Sequence, residues 1–140
     1  MQDPRWDELA DSDWHAFAKL WNAELCEEVA PCSLPDLPWL LDNPPDLASD
    51  YVVPMNFSAS PEAQWKFIIA AYWSGNEKTF GHLTAGPVEH LLGTYGDRCI
   101  EAFEQMADDD PLFANMLKGC FQNRMSESVW GRLCKARGDS

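Results

Sequence analysis

The chain has 140 residues, of which 46% are apolar, and its formal net charge at pH 7 is −13. This length and composition are typical of one globular domain with a hydrophobic core, so we predict a single domain over residues 1–140. The charge argues against direct nucleic-acid binding, which needs Lys and Arg to displace counterions from phosphates. It favours either a basic protein or ribonucleoprotein partner, or a merely acidic surface that keeps the protein soluble.

The cysteines predict free thiols in a reducing compartment. Their number is odd and they lack the CxxC spacing typical of zinc sites: Cys26, Cys32, Cys99, Cys120 and Cys134. The first residues lack the basic and apolar regions of a signal peptide. No apolar run reaches the roughly 20 residues that span a bilayer. We therefore expect a cytoplasmic protein with no membrane contact, no metal and no cofactor.

The first 30 residues predict an N-terminal helix. Trp14, Phe17, Trp21 and Leu25 recur at steps of three and four residues, which places them on one apolar face. Pro31 should end this helix.

Residues 31–59 contain six of the ten prolines, which disfavours a long helix. The segment is nevertheless too rich in apolar side chains for a solvated linker. We predict an ordered proline-rich arm at 31–59, with one helical turn at Leu37–Leu41. Tyr51–Val53 is the only candidate strand.

The stretch Ser60–Gly75 predicts the central element of the fold. Ser60 can cap a helix that begins at Pro61, and Gly75 suits a left-handed turn at its end. The residues between are apolar on nearly every side, yet too few to cross a membrane. A helix at 61–73 buried in the core explains this pattern best.

Further helices are predicted along the rest of the chain. The segment Glu77–Leu83 is followed by a break at 84–87, and helices are expected at 87–96, 97–109, 111–121 and 126–137. Their starts are marked by Pro87, Asp97, Asp110-Pro111 and Ser126. The predicted fold class is all-α, a compact bundle of about six helices around the central helix, with the helical core at 60–137.

Residues 65–130 resemble a small bacterial all-helical family of unknown function. The matching motifs are FIIAAYW at 67–73, TAGPVEHLL at 84–92, YGD at 95–97, DDPLF at 109–113 and Trp130. Thr84 departs from the alanine of the Ala-Gly-Pro-(Leu/Val)-Glu turn, and His90 stands where an acid is common. Residues 1–60 fall outside the resemblance. It implies a helical fold and no known activity.

Few residues suggest catalysis. A hydrolase or transferase could be built on Glu89, His90 and Cys99, if the helices that carry them packed together. Glu89 is better explained as a group that satisfies free N–H groups at a helix start, and Cys99 as an inert buried thiol. Recognisable nucleotide-binding and hydrolase motifs are absent. We predict a protein that is not an enzyme and has no catalytic residues.

The sequence favours a binding protein that blocks a basic protein or nucleoprotein partner stoichiometrically. A phage anti-CRISPR-type inhibitor of a bacterial defence complex and an immunity protein against a toxin both fit. A DNA-binding regulator using the basic C-terminal helix is disfavoured by the overall charge. The predicted partner-binding residues are Asp36, Trp39, Asp42, Asp46, Asp50, Tyr51, Asp108 and Asp109. A homodimer is also expected, through Leu40, Val53, Phe67 and Trp73.

Overall fold

The computed structural model describes residues 2–139, and every regular element among them is helical. The α-helical segments are α1 (Asp11–Leu25), α2 (Ser49–Ser58), α3 (Pro61–Ser74), α4 (Glu77–Leu83), α5 (Glu89–Asp109), α6 (Pro111–Met116) and α7 (Glu127–Ala136). A π-helical turn, Thr84–Val88, joins α4 to α5 without interruption, and short 3-10 helices cover Pro4–Glu8 and Leu117–Gly119. Within the described residues the chain therefore forms six separate α-helices, and the predicted all-α class is confirmed.

The chain divides into two compact units, Met1–Thr79 and Phe80–Ser140. The first contains α1, α2, α3 and the start of α4. The second contains the π-helical turn and α5 to α7. The single domain expected from chain length stays a prediction.

The core of the first unit is formed by α1 against α3. Phe67 of α3 is fully buried, and its ring centroid lies 4.7 Å from that of Phe17 and 5.4 Å from that of Trp21, both on α1. Trp6 and Trp14 stack beside Phe17 with centroids 6.1–6.4 Å apart. The aromatic face predicted for the N-terminal helix is therefore the face that packs on the central helix.

The start of α3 confirms the predicted cap. The Ser60 hydroxyl accepts a hydrogen bond from Ala63 N at 3.1 Å, and Pro61 occupies the first helical position. At the other end Gly75 has φ −98° and ψ −171°, an extended conformation, so the predicted left-handed turn is wrong. A Cβ at Gly75 would lie 2.4 Å from Thr79 Oγ1 and 2.7 Å from Ala71 O, so close approach is what requires glycine there.

The proline-rich arm is helical in its last third. Residues 49–58 form α2 with Pro54 inside it, so Tyr51–Val53, the only candidate strand in the sequence, is helical. The missing N–H of Pro54 costs one helical hydrogen bond, but tertiary contacts offset this loss. The Glu24 carboxylate of α1 accepts from Ala48 N at 2.7 Å and Ser49 N at 2.9 Å, which holds the start of α2. The buried face of α2 consists of Tyr51, Val52, Met55 and Asn56.

The remainder of the arm, residues 31–48, is irregular as predicted, but it contains no helical turn at Leu37–Leu41. The segment is held by specific contacts. The ring of Trp39 meets that of Tyr51 edge-on at 5.4 Å, and the Tyr51 hydroxyl donates to Pro45 O at 3.0 Å. These contacts fold the arm back against α2.

The second unit packs α5 against α6 and α7. Phe103 of α5 lies 6.1 Å from Phe113 of α6, and both are fully buried. Gly96 allows α7 to approach closely, because a Cβ there would meet a methyl group of Val129 at 2.9 Å. Asp110 caps α6 through Leu112 N and Phe113 N, as predicted. Ser126 caps α7 through Val129 N, which was also predicted.

The predicted break at 84–87 is instead a π-helical turn. Pro87 lies inside it, and the Glu89 N–H bonds to Thr84 O, five residues back. The Thr84 hydroxyl donates to Phe80 O at 3.1 Å and Gly81 O at 3.2 Å. This wider turn accommodates the proline without ending the helix.

The helix boundary predicted at Gly96 and Asp97 corresponds to a kink at Tyr95, one residue earlier, where two helical stretches meet within Glu89–Asp109. Tyr95 has a φ of −126° and a ψ of 30°, which are not helical. Gly96 and Asp97 therefore lie inside α5, just after the kink.

Candidate functional site

An apolar groove in the first unit has a volume of about 350 Å³. One wall is the arm segment 38–41 and the other is α2, with the 3-10 helix of residues 4–8 between them. We call it the acidic groove, after the Asp residues near its walls. The groove is lined by Trp6, Pro38, Trp39, Leu40, Leu41, Pro54 and Phe57.

Several groove side chains are unusually exposed for their size. Leu40 is 78% exposed, Leu41 71% and Phe57 67%. Scattered single apolar residues are normal on protein surfaces, whereas several large ones around one depression mark an interaction site. The groove therefore has the character of a binding surface.

The groove is held in shape by hydrogen bonds between distant parts of the chain. Trp6 Nε1 donates to Ser58 Oγ at 2.9 Å, and Asp3 N donates to Ser58 O at 2.6 Å. Arg5 Nη2 donates to Trp39 O at 3.3 Å, and the same guanidinium pairs with Asp3. These bonds tie the N-terminal turn to both walls.

One polar atom in the groove wall is unsatisfied. Trp39 Nε1 is buried and has no hydrogen-bond acceptor within the described residues. Such a buried donor costs about 1–3 kcal/mol relative to a bonded one. The wall formed by Trp39 would therefore gain stability from an acceptor.

Carboxylates lie near one wall of the groove. Burial raises the pKa of Tyr51, whose ring contacts that of Trp39, and the negative charges of Asp46, Asp36 and Asp50 raise it further. Asp42 is exposed and follows Leu41 directly. Residues 20–65, which contain both walls, hold eight Asp or Glu and no Lys, Arg or His, a formal charge of −8, while Arg5 of the N-terminal turn is paired with Asp3. The segment that forms the two walls therefore carries a net negative charge.

The structure brings together one part of the predicted partner-binding set. Trp39 and Tyr51 are in ring contact, and the charges of Asp36, Asp46 and Asp50 act on Tyr51. Asp108 and Asp109 belong instead to the second unit, exposed at the end of α5. Asp108 lines an open polar cleft of about 440 Å³ between α5 and α7 that also contains Arg132 and Lys135.

The residues predicted for a dimer interface lie in different environments. Leu40 lines the acidic groove, and Val53 is 59% exposed on α2. Trp73 is 62% exposed on α3. Phe67 is fully buried behind α1, so its placement in an interface is corrected: a second chain could reach it only if α1 moved away. The homodimer itself stays a prediction.

Sequence reasoning missed two important groove residues, Trp6 and Phe57. Trp6 precedes the apolar face that begins at Trp14, and Phe57 lies in the segment 31–59 that the prolines predict to be irregular. Apolar residues lie on nearly every side of α2, so their spacing in the sequence did not indicate a helix.

The three residues considered for a hydrolase or transferase, Glu89, His90 and Cys99, all lie on α5. Glu89 and His90 precede the kink at Tyr95, and Cys99 follows it, nine residues after His90. The Glu89 carboxylate is occupied by hydrogen bonds to another part of the chain.

Glu89 instead anchors the loop that follows α6. Its buried carboxylate accepts a hydrogen bond from Phe121 N at 2.9 Å and another from Asn123 Nδ2. On the other side of the loop, Arg137 Nη1 donates to Cys120 O at 2.9 Å and to Leu117 O at 3.3 Å. Residues 117–123 are thus fixed from two sides by charged groups.

Cys120 should be inert to alkylation in the folded protein. Burial and the nearby Glu89 carboxylate raise the pKa of its thiol from 9.0 to about 12. Because the thiolate is the reactive form, we expect iodoacetamide at pH 8 to label the half-buried Cys26, Cys32 and Cys134 first. Mass spectrometry of tryptic peptides should find Cys120 modified only after denaturation. Rapid labelling of Cys120 in the native protein would contradict this assignment.

The same thiol contributes to alkaline instability. Its pKa is higher in the folded chain than in the unfolded one, so its contribution to stability is complete below pH 9 and is lost as pH rises towards about 12.

Two kinds of site are not found in residues 2–139. No three His, Cys, Asp or Glu side chains in this range are grouped so that they could hold a metal ion. In the same range, no helix has both the length and the apolar content needed to cross a membrane.

Comparison with known proteins identifies one family. Residues 43–140 match the model of a Family of unknown function (DUF6869). No curated protein and no solved structure matches the chain. The matched region begins within the arm and includes α2, so one wall of the acidic groove lies inside it, while Trp6 and the segment 38–41 lie before it. Because the match covers more than half of its length, the chain belongs to this family of unknown function.

Proposed function

We propose that this chain is a non-enzymatic binding protein that takes a basic, apolar segment of another protein into the acidic groove. The observation that carries the proposal is the combination of exposed apolar walls with nearby carboxylates. Apolar walls alone would bind many partners. The nearby carboxylates favour partners that carry Lys or Arg beside apolar side chains.

The apolar part of the groove would supply the affinity. Complete burial of a large apolar side chain stabilises by about 1.5–3 kcal/mol, and three of them, Leu40, Leu41 and Phe57, are now mostly in water. Three such side chains contribute about 4.5–9 kcal/mol before the cost of association is subtracted, so the groove and the nearby charge together support weak binding, micromolar at best.

Charge would increase the association rate and the selectivity of binding. Residues 20–65, with a formal charge of −8, would attract a basic partner from a distance and repel acidic ones. This attraction weakens with added salt. Trp39 adds a specific element: a small rotation of its ring would let Nε1 donate to a carbonyl of the bound segment.

Stoichiometric blockade is the form of binding that we propose. A protein that occupies the basic surface of a partner would prevent that surface from reaching its own acidic ligand. A phage inhibitor of a bacterial defence complex and an immunity protein are two settings for this activity. Both operate in the cytoplasm, where the five free thiols would stay reduced.

The test uses a synthetic helical peptide of 16 residues with leucines on one face and lysines on the other. We expect saturable micromolar binding by isothermal titration calorimetry at low salt, weakened about tenfold at high salt. A matched peptide with Glu in place of every Lys should not bind. Equal binding of the two peptides, or no saturable binding of the Lys peptide, would overturn the proposal.

Two variants test whether the acidic groove is the binding site. Phe57→Ser should weaken binding of the Lys peptide by about tenfold, since it removes an apolar anchor. Val29→Ser is the matched control, because Val29 is 94% exposed in the same unit and does not line the groove. Wild-type affinity in Phe57→Ser would exclude the groove as the site.

A further inference from the structure

The loop fixed by Glu89 and Arg137 presents an aromatic side chain to solvent. Phe121 is 72% exposed, although its backbone N–H is bonded to the buried Glu89 carboxylate. Two charged groups thus hold a loop whose most prominent feature is an uncovered ring. An exposed aromatic residue on a loop whose backbone is anchored has the properties of an interface anchor, because little loop entropy is lost when it binds.

The charge around Phe121 is opposite to that of the acidic groove. Residues 118–124 contain Lys118 and Arg124 and no Asp or Glu, a formal charge of +2. Both basic residues are exposed. This segment is therefore a basic, apolar element of the kind that the acidic groove suits.

We propose that the acidic groove accepts the 118–124 loop of a second copy of this chain, with Phe121 between the walls formed by Trp39 and Phe57. This inference rests on the proposed function, since it uses the same groove, and it names one occupant. Lys118 and Arg124 then face the carboxylates around Tyr51. Self-association through this contact competes with binding of other basic segments.

The contact joins two different surfaces, so it differs from the homodimer predicted from the sequence. One copy contributes the groove and the other contributes the loop. Two such contacts between the same two chains would give a closed dimer, and single contacts would give longer assemblies. Either stoichiometry uses the same pair of surfaces.

Sedimentation velocity of the full-length chain over a wide concentration range tests the inference. We expect concentration-dependent association at low salt that is weakened about tenfold by high salt. Phe121→Ser and Phe57→Ser should each weaken association by about tenfold or more. Leu112→Ser is the control in the second unit, because Leu112 is 54% exposed outside the loop. A chain that stays monomeric at every concentration, or one that associates normally with Phe121→Ser, would overturn the proposal.

Mixing the two variants gives the sharpest result. Phe57→Ser keeps an intact loop and Phe121→Ser keeps an intact groove, so a mixture should form a complex that neither variant forms alone. Absence of this complex would refute the contact.

The Lys peptide separates this inference from the proposed function. Phe121→Ser should bind that peptide at least as tightly as the wild type, since its groove is intact. Wild-type self-association in Phe121→Ser, together with normal peptide binding, would reject the second copy as occupant and leave the proposed function standing. Loss of peptide binding only in Phe57→Ser, together with loss of self-association in both variants, would support both proposals.

Discussion

Replacing Phe67 with alanine should lower the free energy of unfolding by about 3–5 kcal/mol. The side chain is fully buried between Phe17 and Trp21, so its removal loses both burial and two ring contacts and leaves a cavity between α1 and α3. Because folded domains are stable by only about 5–15 kcal/mol, this is a large part of the total. Urea denaturation followed by circular dichroism measures it.

Trp73→Ala is the matched control on the same helix. Trp73 is 62% exposed, so its loss should change stability by less than about 1 kcal/mol. Similar losses in the two variants would contradict the assignment of Phe67 to the core. If Trp73 nevertheless lies in a homodimer interface, its substitution should weaken association without lowering the stability of the monomer.

Replacing Glu89 with alanine should lower the free energy of unfolding by about 2–4 kcal/mol, because two hydrogen bonds to a buried carboxylate are lost. The N–H of Phe121 and the amide of Asn123 would be left without their acceptor. Urea denaturation measures the loss. Faster hydrogen exchange confined to residues 120–124 should accompany it, since the loop loses one of its two anchors.

Two further variants test this explanation. Glu89→Gln keeps an acceptor for one donor, so its loss of stability should be intermediate. Glu101→Ala removes a carboxylate from an exposed position of the same helix and should change stability by about 0.5 kcal/mol or less. If Glu89→Ala lowered the free energy of unfolding no more than Glu101→Ala does, Glu89 would not anchor the loop.

The acidic groove and the Glu89-anchored loop are the two surfaces on which the proposed contacts depend. The groove leaves apolar walls uncovered beside carboxylates, and the loop uses a buried carboxylate to hold Phe121 in solvent. The hydrogen bonds of Glu89 stabilise the loop, but the exposure of Phe121, Leu40, Leu41 and Phe57 does not stabilise the free chain, since apolar surface remains in water. Contact with another protein surface is the explanation that we propose for this exposure.

The sequence alone determined the helical class and many of the helix starts. Ser60-Pro61, Asp110-Pro111 and Ser126 could be recognised because a cap is a local interaction, made between a side chain and backbone N–H groups two or three residues ahead. The aromatic face of α1 was also predictable, because its helical spacing lies within a few turns.

Only the tertiary structure decided the rest, because the deciding contacts join residues far apart in the chain. Pro54 argued against a helix, and Glu24 supports α2 from 24 residues away. Pro87 predicted a break, yet the widened turn continues into α5, where Glu89 binds a loop 32 residues later. The acidic groove combines Trp6 with a wall that begins at Pro38 and another that ends at Ser58. Local sequence patterns carry no information about these long-range contacts, because the contacts depend on how the helices pack.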